Sequence, residues 1–433
     1  MRFKGSFSKG VVITILLTLI PVAAFSAQKI TSGSTCKMYK QKVTYQNKIY
    51  TCSKSGTKLV WDKGVAIKKP TATTTPTPIA TKTSASTSLP LNPKGKLYSV
   101  QMAKAHLPVA PNAGYDDYRC FLLDPKVEVD SIIQSIEFIP QRKNYVHHAI
   151  IFRVSEANLQ EAKTLDGSGT GWPCFGGSGL GGMFTSFVTS PWISAWAPGK
   201  TKDLAPVGYG IPFKKDEQFV LQVHYNLLAA TGGKIETDQS RIVIEAVPVT
   251  EATVKPLSIE LFAAPVELAC PEGVRGPLCD RAAAVKDLSK RTNGSSQLEL
   301  LGIAAMCGKN PFFPQSDVVT KCDQKVRSNY TIVTAAPHMH LLGRKLKMTL
   351  NPGTAREQVI INVEQYNFDD QSPIELKTPL EVVSGDVIRI ECTHDPNIRQ
   401  LLPMFKNLPP RYVTWGEGSS DEMCLGVLSV SRK

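Results

Sequence analysis

Phe219-Val220-Leu221-Gln222-Val223-His224-Tyr225-Asn226-Leu227 decides the fold class, because its apolar side chains fall on alternate residues. In an extended chain Phe219, Leu221, Val223, Tyr225 and Leu227 line one face, while Gln222, His224 and Asn226 share the other. Comparable strand-length runs cover residues 241–249, 345–350 and 387–392, in a chain punctuated by 30 Pro and 31 Gly. One helix is expected, near residues 280–288. At 433 residues the chain exceeds one comfortable hydrophobic core. The reading is all-β: two tandem jelly-roll-like antiparallel β-sandwich domains, over 97–252 and 253–433, meeting near the connector Lys255-Pro256.

The N-terminal part has a different composition. Arg2, Lys4 and Lys9 precede an apolar run from Val11 to Ala24 and then the small residues Ser26 and Ala27, the pattern of a secretory signal peptide over 1–27. The run is too short to span a bilayer, so no transmembrane segment is expected and the protein should be secreted or held at the cell surface. Residues 28–66 read as a small Lys-rich β module stapled by Cys36 and Cys52. Residues 67–96 are a Thr/Pro-rich linker. Residues 1–70 hold 13 Lys or Arg against the single acid Asp62, so they carry +12 of the net +13. The rest of the chain is close to neutral, which argues against nucleic acid and points the basic module toward a cell wall or other anionic surface.

Ten cysteines in an exported chain, none in a CxxC pair, favour disulfides over thiolate metal sites. Histidine is then the expected metal ligand. His338-Met339-His340 places two imidazoles on one face of a strand, aimed at one ion, and Leu342 stands where an HxHxD zinc hydrolase would need a carboxylate. His224 projects from the polar face of its strand. The neighbours His147 and His148 should face opposite ways, so both reach one metal only if the strand bends or one ring uses its nearer nitrogen. The expectation is mixed Nδ1 and Nε2 ligation at that pair, with His224 as third ligand. Near the C-terminus Met423 follows the acids Asp421 and Glu422 and precedes Cys424. Its thioether is a soft donor suited to Cu(I) beside imidazoles.

Taken in order, Tyr118-Arg119-Cys120, Val146-His147-His148, Trp196-Ala197-Pro198-Gly199, Gln222-Val223-His224-Tyr225, His338-Met339-His340-Leu341 and Asp421-Glu422-Met423-Cys424 resemble the ascorbate-dependent type II copper monooxygenases. This group includes the peptide-amidating and dopamine-hydroxylating enzymes. The resemblance spans about residues 97–433. It implies two copper ions per chain, one held by His147, His148 and His224 and one by the catalytic His338, His340 and Met423, each with an open position. It also implies O2, a small-molecule substrate, and ascorbate or a similar reductant. Two disulfides are implied as well, Cys120 with Cys174 and Cys392 with Cys424. Cys270, Cys279, Cys307 and Cys322 stay unassigned, with three possible pairings, around an unmatched stretch at 270–322.

The departures concern substrate. Peptide-amidating relatives carry an Arg before the HxH and polar residues after the Met-Cys pair. Here the stretches read Ala335-Ala336-Pro337-His338 and Met423-Cys424-Leu425-Gly426-Val427, so a carboxylate clamp is missing and a less polar substrate is expected. His106 is left over, and His394, near the implied Cys392 bridge, reads as a turn histidine ahead of the alternative that it lines the cleft. The rival function is a non-catalytic extracellular copper- or ligand-binding protein on the same scaffold. A zinc hydrolase is disfavoured because no general base accompanies the ligands.

Overall fold

The computed structural model describes residues 31–36, 42–45, 48–66, 94–181, 191–228, 230, 234–251, 254–292 and 294–432. The signal-peptide reading and almost all of the Thr/Pro-rich linker lie outside these residues. The described residues form two compact units, 31–66 and 94–432. In the first, the strands Lys42–Tyr45, Lys48–Ser55, Lys58–Trp61 and Val65–Ala66 make a small sheet. Among the described residues its buried core is Tyr50, Cys52 and Trp61, and the Cys36–Cys52 disulfide supplies a cross-link for so small a unit.

The second unit is mostly β and holds two large hydrophobic cores. In its first half, one sheet orders Trp192–Trp196, Val146–Val154, Gln218–Asn226, Asp116–Leu123 and Trp172–Pro173. A second sheet runs through Lys255–Pro256, Tyr209–Phe213, Ser131–Ile139, Arg241–Pro248 and Lys96–Gln101. Phe219, Leu221, Val223 and Tyr225 from the first sheet pack with Ile133, Ile136, Ile242 and Ile244 from the second. The alternation in 219–227 is therefore the inward face of a sheet, as the period of two requires.

The opposite face of that strand is not solvated. Gln222, His224 and Asn226 are all buried, because the helix Glu156–Asp166 and the segment 172–180 cover this side with Ala162, Trp172, Cys174 and Leu180. The Cys120–Cys174 disulfide ties that cover to the strand beneath.

In the second half, Ser258–Ala263, Leu425–Arg432, Tyr330–His338 and Ile374–Val382 form one sheet, and Val319–Lys325, Val387–His394, Gly343–Leu350 and Gln358–Val363 form another. Ile332, Leu428, Val430, Leu346, Met348 and Ile390 meet in the core they share. The expected helix is Arg281–Arg291, started by Asp280, whose side chain accepts the N–H of Ala283 at 2.8 Å. Among the described residues two more α-helices were not foreseen. Glu156–Asp166 has no side-chain cap, and Ser295–Met306 follows Gly294 and ends in the unbroken run 300–306, which shows no helical alternation of polar and apolar residues. No helix of the described residues is long and apolar enough to cross a membrane.

Phe219 is fully buried and Leu97 is 64% exposed. Phe219→Ala should cost about 3–5 kcal/mol of unfolding free energy and Leu97→Ala less than about 0.5 kcal/mol, measured by chemical denaturation. Equal effects would contradict the placement of this core.

Candidate metal centres

Strand Val146–Val154 pairs with Gln218–Asn226 in a register that matches His224 to His148 and Tyr225 to Val146, skipping His147. Two residues thus oppose one, a β-bulge, and the local bend turns both imidazoles to the same side. The Nδ1 atoms of His147, His148 and His224 lie 3.1–3.4 Å from one another. Three donors around an ion at bond lengths of about 2.0 Å and near-tetrahedral angles stand about 3.3 Å apart, so the spacing fits a metal. Both rings of the pair present Nδ1. The expected mixture of nitrogens at His147 and His148 is therefore not found, because the bulge already supplies the bend that mixing was invoked to replace.

His224 is held on two sides. Its Nε2 is 2.8 Å from Asp116 Oδ1, and Tyr118 stacks on its ring at 4.0 Å between centroids. Burial, then the neighbouring imidazoles, keep His147 and His148 well below the ordinary imidazole range. They are neutral donors ready for a cation.

His338 closes the strand Tyr330–His338, and His340 lies two residues beyond it. Their rings are 5.4 Å apart and nearly perpendicular. Each Nδ1 is already used: that of His338 donates to Gln371 Oε1 at 2.6 Å and that of His340 to the Asp421 carbonyl at 3.1 Å. Each Nε2 is left as the donor to a metal. His340 Nε2 is buried with no protein partner, an orphan that an ion would satisfy. Burial lowers His340 to about 3 and also depresses His338.

Met423, 7% exposed, precedes the strand Leu425–Arg432, in which Leu425 pairs with His338. The Cys392–Cys424 disulfide anchors it from behind. Met423, His338 and His148 share the wall of one cavity of about 830 Å³. The two histidine groups adjoin at His147, whose ring centroid is 4.7 Å from His224 and 6.3 Å from His340, with Phe368 at 5.4 Å.

Glu422 organises the second group. Its carboxylate accepts the backbone N–H groups of His340 and Leu342, both at 2.7 Å, and of Met423 at 2.8 Å. Burial nonetheless pushes the carboxyl up to about 7, against the pull of those three donors. His394 is not in a turn: it ends the strand Val387–His394, is 3% exposed and donates from Nε2 to the Met423 carbonyl at 3.2 Å. His106 pairs with Asp117 at 2.8 Å, away from both groups. The four unassigned cysteines form Cys270–Cys279 and Cys307–Cys322.

Gly199 explains part of the Trp196–Gly199 motif. At φ +89° a Cβ there would come within 2.0 Å of the Asp369 carbonyl, so glycine lets this turn pack on the loop carrying Phe368 and Gln371. Sequence reading missed Asp116, Glu422, Gln371 and His394 as supports. The acids beside Met423, and the nearness of His394 to Cys392, gave the signals that were there.

Glu422→Ala strands three buried backbone N–H groups, each costing about 1–3 kcal/mol. The metal-free protein should lose at least about 3 kcal/mol in denaturant, with Glu422→Gln recovering part. An unchanged midpoint would refute this role.

No curated protein matches the chain. Among solved structures, the infectious bursal disease virus VP2 subviral particle is 9% identical, covering 79% of this chain and 73% of that one at a TM-score of 0.16. The coconut allergen cocosin is 9% identical, covering 78% and 86% at 0.13. Likeness at that level carries no weight for fold or function. Residues 310–429, which include His338, His340 and Met423, match the copper type II ascorbate-dependent monooxygenase, C-terminal domain, a region of similarity that covers the second histidine group and not the first.

Proposed function

We propose that the protein is an exported copper-dependent monooxygenase that hydroxylates a C–H bond of a largely apolar small molecule, using O2 and two electrons from ascorbate or a similar donor. In this reading residues 97–252 and 253–433 are tandem jelly-roll domains, each with its own core. His147, His148 and His224 hold one copper, and His338, His340 and Met423 hold the other. The observation that carries it is the convergence of three Nδ1 atoms at 3.1–3.4 Å beside a second group whose His340 Nε2 has no partner.

Copper, when bound, supplies one-electron redox chemistry at each of two centres. The residues do the rest. Three donors at each centre leave a coordination position open. Desolvated imidazoles meet a cation without first shedding protons. Gln371 and the Asp421 carbonyl fix the Nδ1 protons of His338 and His340, so that each Nε2 faces the ion. A storage protein needs neither two differently built centres nor a shared cavity, which weighs against the non-catalytic alternative.

The cavity supports an apolar substrate. Trp192, Trp196, Ile303, Leu425 and Val427 line it. Lys200, the one Lys or Arg on its described wall, is engaged by Asp203 at 2.6 Å and the Ala195 carbonyl at 2.5 Å, so no cation is left to clamp a substrate carboxylate.

The purified chain should bind two coppers and consume O2 with ascorbate when a substrate is present, detected as a product one oxygen heavier in a metabolite screen. Met423→Ala should abolish turnover while retaining the copper at His147, His148 and His224. Full activity in that variant would remove the assignment of the second centre.

The depressed imidazoles also set a pH dependence. An ordinary imidazole of pKa about 6.5 loses more than about tenfold in its neutral fraction between pH 7 and pH 5, whereas His147 and His148, held well below that range, should stay neutral and add almost no pH dependence to copper affinity over that interval. Without metal the sign appears in stability. Below about pH 6.5 the unfolded chain takes up protons that the folded chain refuses, so stability falls as pH falls. A loss of affinity by pH 5 as steep as three protons per copper, in competition titrations, would contradict the burial argument for His147 and His148.

A further inference from the structure

Asp116 opens the strand Asp116–Leu123 and lies opposite Asn226, two residues beyond His224. Its carboxylate is 9% exposed. Oδ1 accepts from His224 Nε2 at 2.8 Å and from Ser419 Oγ at 2.6 Å, and the Ser419 N–H lies 3.3 Å from both carboxylate oxygens. An acceptor at Nε2 places the ring proton there and leaves the Nδ1 lone pair facing His147 and His148. Tyr118, stacked on the same ring, donates its hydroxyl to the Glu417 carbonyl. Both restraints on His224 therefore end on residues 417–419, just upstream of Glu422 and Met423.

We propose that Asp116, braced by Ser419, is a positioning residue of the His147–His148–His224 centre, so that the segment 417–423 builds both centres: the first through hydrogen bonds, the second through Met423. This rests on the copper reading of the histidine cluster given above. Metal-bound imidazoles commonly give their second ring N–H to a carboxylate, and losing that partner costs about 10–100-fold in metal affinity. Asp116 and Ser419 touch no metal in this scheme. Their effect runs through the tautomer and tilt of His224.

The test uses the full chain, Cu(I) competition with a chromophoric chelator, and Cu(II) electron paramagnetic resonance. His147→Ala first identifies the signal of the first centre by removing it. Asp116→Ala should weaken that copper alone by about 10–100-fold and alter that signal alone. Asp116→Asn, whose amide oxygen still accepts from Nε2, should recover much of the loss, and Ser419→Ala should lie between. The metal-free melting midpoint of Ser419→Ala should stay near that of the parent, because a merely structural role would lower it and disturb both coppers. Wild-type affinity and an unaltered first signal in Asp116→Ala, Asp116→Asn and Ser419→Ala, with His147→Ala still losing one copper, would overturn the positioning role. If His147→Ala loses no copper, the copper reading of the cluster falls, and this inference with it.

Discussion

The structure depends on a mismatch between two strands: two histidines on Val146–Val154 face one on Gln218–Asn226. A regular ladder would send His147 and His148 to opposite sides of the sheet, and one imidazole would be lost to the hydrophobic core. The bulge costs a regular pairing and yields three nitrogens in one place. Desolvation there, and the closeness of the rings to one another, lower the proton affinity of His147 and His148. Burying several polar rings is unfavourable unless each finds a partner. Asp116 satisfies His224, and a cation would satisfy the rest.

The second group solves the same problem differently. His338 and His340 straddle the end of a strand, where backbone N–H groups run out of ladder partners, and one buried carboxylate, Glu422, gathers three of those N–H groups. Met423 follows directly, with a disulfide at the next residue and His394 beneath its carbonyl. The thioether thus sits on a segment restrained on three sides, a restraint that the ligand role proposed for Met423 would need. Residues 310–429 bear the family match, and the same span contains this construction.

Much of this was legible in the sequence. Alternation in 219–227 gave a strand with one apolar and one polar face, and the HxH pair, the neighbouring histidines and the Met-Cys pair stood out by residue type. What was hidden is non-local. Asp116 and His224 are 108 residues apart and Glu422 and His340 are 82 apart, so no local pattern links them. The bulge is a property of register between strands rather than of either strand. The helix Ser295–Met306 escaped because its apolar second half, 300–306, which contributes Ile303 and Met306 to the cavity wall, lacks a helical period.

The central claim is that imidazoles and one thioether define two distinct copper environments in one chain. Copper K-edge X-ray absorption of the fully loaded, ascorbate-reduced protein reads it most directly. The account predicts two coppers per chain, with imidazole scattering at both and a sulfur shell that fits one copper and disappears in Met423→Ala. A single copper per chain, or a spectrum without sulfur in the parent protein, would contradict it.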